Sequence, residues 1–251
     1  MDEIKALDEI FFAQLKEFTA ARIGLGRAGS SIPVKESLNF NLAHAHARDA
    51  VYSELNTDKL AENLSEFDLP VVQLHSKAAY RVQYLQRPDL GRQLDDASKD
   101  MLESHLHHCD IVIVIADGLS AAAVNHNAIG LLNILIPQLQ TAGLTIGPIC
   151  LVKQGRVAIA DDIGAALRAR LSIILIGERP GLSAADSMGA YLTYNPLRGL
   201  TDEARNCISN IRPHGLSAKQ AAKKIFYLTQ ESFKRKLSGV ALKDNAGALN
   251  D

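Results

Sequence analysis

Two hydrophobic periods divide the chain. Over residues 3–22, Ile4, Leu7, Phe11, Leu15 and Phe18 recur at helical spacing on an otherwise charged segment, which predicts one amphipathic helix. A Gly- and Ser-rich loop, RIGLGRAGSSIP (22–33), follows. A second helix is predicted from near Glu36 through LNFNLAHAHARDAVYSEL, and a third over TDKLAENLSEF (57–67) with Thr57 as its N-cap; Pro70 closes this helical region. From there, short apolar runs alternate with helical stretches. PVVQLHS (70–76), DIVIVIADG (110–118), LTIGPICLVKQG (144–155) and LSIILIG (171–177) read as buried strands. Between them, residues 87–108, 119–143 and 161–170 read as helices. The first divides around Gly91, the second is interrupted by Pro137 and ends on Gly143, and the third opens on two acids that suit its dipole. Beyond Gly177 the pattern reads as loop and then two helices, TDEARNCISNI (201–211) and SAKQAAKKIFYLTQESFKRKL (217–237).

Buried strands separated by helices of this length predict the α/β class: a small helical N-terminal region, 1–68, followed by a domain over 69–251 with a mainly parallel sheet and helices on both faces. In such sheets ligands bind outside the carboxyl ends of the strands, near the point where strand order reverses. Three strand ends qualify: Asp117-Gly118, the turn around Gly155, and Gly177-Glu178.

Composition removes whole classes of function. The chain has 251 residues, enough for one or two domains, and a formal net charge of −1, so no nucleic-acid or membrane partner is expected. Aromatics make up 5% with no Trp, which gives little surface for base stacking. The three cysteines, Cys109, Cys150 and Cys207, are widely spaced and form no CxxC, so neither a disulfide framework nor a zinc site is expected and a reducing cytoplasm is the default. MDEIKALDEIFF lacks the basic start and long apolar core of a secretory signal, and IVIVIA (111–116) is too short to span a bilayer.

Several motifs weaken on inspection. GLGRAG (24–29) matches G-x-G-x-x-G, but a helical stripe precedes it instead of a strand, so it reads as a docking loop. His105, His107, His108 and Cys109 do not converge on one face of a helix, nor do His44 and His46; both groups read as solvated helix positions, and no metal site is assigned. Asp117-Gly118-Leu119-Ser120 can either cap a helix or receive a polar group at its N-terminus. Glu178 and Arg179 can pair with each other or with neighbours, or Glu178 can accept hydrogen bonds from a ligand. Cys207 reads as a small thiol whose backbone lines a site. No nucleophile triad, catalytic carboxylate pair or P-loop is visible, so no catalytic residue is assigned; such a chain is compatible with one subunit of an enzyme. Two other readings stay open: a self-sufficient α/β enzyme using Asp117 and Glu178, and an adaptor without a ligand.

ARIGLGRAGSSIP, NLAHAHARDAV, VIVIADGLSAAAV, LIGERPGLSAADSMGAYLTYNP, ARNCISNIRPHGLS and LSGVALKD together resemble the small (light) subunit of ethanolamine ammonia-lyase, from about Ala20 to Asp244. The resemblance implies an adenosylcobalamin (coenzyme B12) enzyme that converts ethanolamine to acetaldehyde and ammonia by radical chemistry. It implies that a large subunit, a TIM barrel, holds ethanolamine, and that the small subunit covers the cofactor between the two. It further implies a Rossmann-like domain after the helical region, a hexamer of heterodimers, and a cytoplasmic location with bacterial microcompartments. The family's cofactor contacts fall on Val157 in QGRVAIAD, Glu178 in GERPG and Cys207 in RNCISN, with Arg156 and Arg179 as neighbours.

Overall fold

The computed structural model of the chain describes residues 11–19, 21–105 and 108–244. Part of the first predicted helix, including Ile4 and Leu7, lies outside the described residues; residues 11–16 are helical, with Phe11, Leu15 and Phe18 exposed. Helix α1 (Val34–Tyr52) and helix α2 (Thr57–Leu64) follow. The N-cap of α2 is Asn56, one residue before the predicted Thr57: its side chain accepts from Lys59 N at 3.1 Å, because an amide oxygen reaches the third amide of the turn as well as a hydroxyl does.

The rest is built on one six-stranded sheet. Strands β1 (Val71–His75), β2 (Ile111–Ala116), β3 (Ile146–Lys153), β4 (Leu171–Gly177), β5 (Met188–Tyr194) and β6 (Arg205–Ile211) lie in the order β1-β3-β2-β4-β5-β6. The first four pair in parallel, but β4–β5 and β5–β6 are antiparallel, so the sheet is mixed. Two sequence expectations therefore fail. Residues 188–194 are strand where a loop was expected, and 205–211 are strand where a helix was expected. The cause in β6 is visible in its burial: Arg205, Ile208 and Ile211 are inward, a spacing of three that imitates a helical stripe. The ladder slips between Met188 and Ala190, whose partners are Ile211 and Ile208, and Asn210 takes φ +61° at this bulge.

Helices cover both faces. They are α3 (Arg81–Gln86), α4 (Asp96–Glu103), α5 (Ala121–Thr141), α6 (Ile159–Ala166) and α7 (Ala218–Arg235). Helix α3 was not anticipated, and the helix expected over 87–108 is a short turn at Leu90–Arg92 followed by α4. Along β2 the alternation is strict: Ile111, Ile113 and Ile115 enter one core with α2, α5 and α7, while Val112, Val114 and Ala116 enter a second with α4 and α6. The chain thus leaves β2 by α5 on one face and leaves its neighbour β3 by α6 on the other. That divergence opens the crevice at the carboxyl ends of β2 and β3 that ligands use in α/β sheets.

Candidate functional site

The three strand ends meet there. Asp117, 3% exposed, accepts from Gln154 N at 2.8 Å and Gly155 N at 3.0 Å, with Arg81 Nη1 at 3.9 Å. It ties the end of β2 to the loop after β3 and does not cap α5. Burial pushes its carboxyl above the usual carboxylate range, and the bonds from Gln154 and the charge of Arg81 offset this only in part. Ser120 takes the cap of α5, accepting from Ala123 N at 3.3 Å while donating to Ala185 O at 2.8 Å. Gly118 and Gly177 let the ends of β2 and β4 touch: a Cβ on Gly118 would lie 2.3 Å from Gly177 O, and one on Gly177 would lie 2.0 Å from Ser120 O.

Around this joint lies a cleft of about 390 Å³. Gly118 borders it after β2, Arg156 and Val157 after β3, and Glu178 and Arg179 after β4, between Tyr84 and Tyr191. The structure therefore brings together two of the three sequence-predicted residues, Val157 and Glu178, with both neighbours, Arg156 and Arg179. Glu178 does not pair with Arg179. Its carboxylate accepts from Ser187 Oγ at 2.5 Å, from Ser209 Oγ, and from Asn210 N at 3.2 Å. The bulge in β6 is what delivers Ser209 and the Asn210 amide side by side. Three donors leave one of roughly four acceptor positions open.

Cys207 lies apart. It is exposed on β6 beside Tyr191, and it borders a separate depression with Ser209 and Asn210. Burial pushes its thiol up, with Glu178 adding to the effect, so it is not an activated thiolate. Tyr191 forms the wall between Cys207 and the cleft, and burial raises its phenol well above the ordinary range.

Sequence reasoning missed Tyr84. Fully buried on α3, it donates to Gly155 O at 3.3 Å and is stacked by Arg81 and Arg156, 4.7 and 4.1 Å from its ring centre. Arg156 Nη2 donates to Tyr84 O at 3.1 Å, while Arg156 Nε and Arg81 Nη2 are buried without partners. A short helix without a full period gives no sequence signal for such a residue. Elsewhere, His105 Nδ1 lies 3.1 Å from Met101 O, His107 falls outside the described residues, and among the described residues no three His, Cys, Asp or Glu are placed to hold a metal ion. No helix among them is long and apolar enough to cross a membrane.

Comparison with known proteins agrees with the resemblance. Residues 10–243 match the family described as the ethanolamine ammonia-lyase light chain (EutC). The ethanolamine ammonia-lyase small subunit of Azotobacter vinelandii is 52% identical over 237 residues, covering 93% of this chain and 88% of that one. The small subunit of Pseudomonas putida is 50% identical over 236 residues, covering 92% and 87%. The chain belongs to the ethanolamine ammonia-lyase light chain family, whose members are subunits of a lyase.

Proposed function

We propose that this chain is the small subunit of an adenosylcobalamin-dependent ethanolamine ammonia-lyase, converting ethanolamine to acetaldehyde and ammonia only when joined to its large subunit. The observation that carries the reading is the crevice at the carboxyl ends of β2, β3 and β4, where Val157 and Glu178 border one open cleft in a chain of this family. Residues there fit one wall of a site for a large amide-rich ligand. Glu178 keeps an acceptor position, and the buried Arg156 Nε lacks a partner.

Adenosylcobalamin, when bound, supplies the radical chemistry. This chain binds, orients and excludes water. Glu178, clamped by Ser187, Ser209 and Asn210, presents a fixed oxygen to amide donors of the corrin periphery. Val157 gives apolar surface at the edge of the cleft, and Cys207, beyond Tyr191, extends that surface without thiol chemistry. Both oxygens of Asp117 are held by backbone amides, which speaks against general acid–base work in this chain alone. Ethanolamine is held mainly by the large subunit.

Residues 1–68 form the docking region and 69–251 a Rossmann-like covering domain. Along α1, Val34, Leu38, Leu42 and Tyr52 are all exposed and only Ala50 is buried, which suits a helix completed by a partner. A hexamer of heterodimers in bacterial microcompartments completes the reading. The test is ammonia release from ethanolamine by the purified large subunit with adenosylcobalamin, with and without this chain. Activity only in the mixture is expected. Inactivity of a mixture in which both chains are folded and associated would overturn the lyase reading.

A further inference from the structure

A second, larger cleft of about 780 Å³ adjoins the first, and Arg156 and Val157 border both. Its other walls are the turn at Leu90–Arg92, the start of α6 and the loop 198–205. Its acids are all engaged. Asp162 accepts from Leu94 N at 2.9 Å and from Arg198; Asp202 accepts from Arg205 Nη1 at 2.9 Å; Asp89 takes both arms of Arg87, at 2.9 and 2.7 Å. Behind them, buried Asp161 pairs with Arg205 through Oδ2, while its Oδ1 is buried without a partner. Its cations are not all engaged. Arg92 is exposed with no hydrogen bond or ion pair among the described residues. Arg156 has an unpartnered buried Nε, and so has Arg205, whose side chain is 2% exposed. Carboxylates each paired with a cation or an amide, beside guanidinium N–H groups without partners, leave positive charge for an anion, and a guanidinium fork matches a phosphate in shape and charge.

We propose that this cleft is a phosphate-binding subsite in which Arg92 and Arg156 take the oxygens of a phosphate or phosphodiester, with Arg205 behind them. Two sources offer that chemistry. One is the phosphodiester that joins the corrin of a cobalamin to its nucleotide base, reached from the neighbouring cleft across Arg156 and Val157; this source rests on the cofactor reading above. The other is a separate phosphate-bearing molecule.

The test uses the complex of this chain with its large subunit. Affinities for cyanocobalamin, for cobinamide (which lacks the phosphodiester and base) and for inorganic pyrophosphate are measured for wild type, Arg92→Gln and the Arg92→Gln/Arg156→Gln pair. Arg92 is exposed, so its replacement spares the fold; Arg235→Gln, at the end of α7 and away from the cleft, is the control. Arg92→Gln is expected to weaken cyanocobalamin about five- to tenfold, the scale of one charge-assisted contact, and to leave cobinamide unchanged. A loss confined to pyrophosphate supports the phosphate site but gives it to a separate ligand. Wild-type affinities for cyanocobalamin and pyrophosphate in both variants would overturn the subsite. Failure of the wild-type complex to bind either corrin would instead overturn the cofactor reading, while the pyrophosphate series still decides the cleft.

Discussion

Gly177→Ala tests whether the joint between β2 and β4 holds the cleft in shape. An added Cβ would lie 2.0 Å from Ser120 O and 2.6 Å from Asp117 O, both backbone atoms that no rotamer change can move aside. Real Cβ contacts stay beyond about 3.0 Å, so the start of α5 and the end of β4 must part by about 1 Å. That shift strains the Leu119 N to Gly177 O bond of 2.9 Å and disturbs the buried cap at Ser120. Overpacking of this kind costs about 1–3 kcal/mol, and the weakened bond adds about 1 kcal/mol, so about 2–4 kcal/mol of stability should be lost. The contrast is Gly26→Ala, where φ is +75° but the space is open; only backbone strain of about 1–2 kcal/mol applies. Urea unfolding of the full chain, with the slope checked for equality, measures both. On the proposed cofactor reading, Gly177→Ala should also weaken corrin binding in the complex, because Gly118 and Glu178 move apart. A Gly177→Ala chain within about 0.5 kcal/mol of wild type would refute the close-contact argument.

Glu178→Gln keeps the size of the side chain but offers one acceptor oxygen where three donors arrive; unfolding free energy should fall by about 1–2 kcal/mol, and no loss would mean that the clamp on β6 is not formed in solution. Arg205→Met leaves buried Asp161 without its cation and should cost about 3–5 kcal/mol; adding Asp161→Leu should recover much of that in the same denaturation series, and failure to recover would place the role of Arg205 elsewhere. Asp117 gives a pH signature. A carboxyl raised in the folded state contributes stability that is complete below its unfolded value, near about 4, and is lost as pH climbs through the raised value. The stability advantage of wild type over Asp117→Asn should therefore narrow as pH rises from about 4; an advantage that widens would contradict the burial argument.

The parallel half of the sheet was legible because both its faces are buried by the chain's own helices, so β2 is an unbroken apolar run and β4 one interrupted only by Ser172, ended by Gly118 and by Gly177 with Pro180 beyond it. The antiparallel half was not. Strand β5 starts Met-Gly-Ala and mixes Tyr191, Thr193 and Tyr194 among its apolar positions, and the bulge in β6 places Arg205, Ile208 and Ile211 at a helix-like spacing. The candidate site divides the same way. Val157 and Glu178 were legible as residues just past strand ends, whereas Tyr84, Ser209 and the anchoring role of Asp117 depend on contacts 71, 31 and 37 residues away. Contacts of that range leave no local pattern, and Arg92 and Arg205 were not singled out because only the fold brings them beside Arg156, which the resemblance had already marked as a neighbour.

The distribution of satisfied and unsatisfied groups separates a reactor from a wall. General acid–base chemistry needs a carboxyl with a free oxygen and access to a substrate proton. Here Asp117 has backbone amides on both oxygens, Asp162 has an amide on one and Arg198 on the other, and Glu178 is held by three donors. Each of these acids fixes a loop at the carboxyl edge of the sheet. Among the described residues at the two clefts, the groups left over are mostly donors, Arg156 Nε, Arg81 Nη2, Arg205 Nε and the guanidinium of Arg92, against one open position on Glu178 and the buried Oδ1 of Asp161. A surface stiffened by its acids, with guanidinium donors and the open position on Glu178 left over, suits the proposed role of gripping a ligand that carries amides and phosphate oxygens, and is unsuited to transfer protons by itself. On the proposed function, the chemistry of the complex would then come from the bound cofactor and from the large subunit.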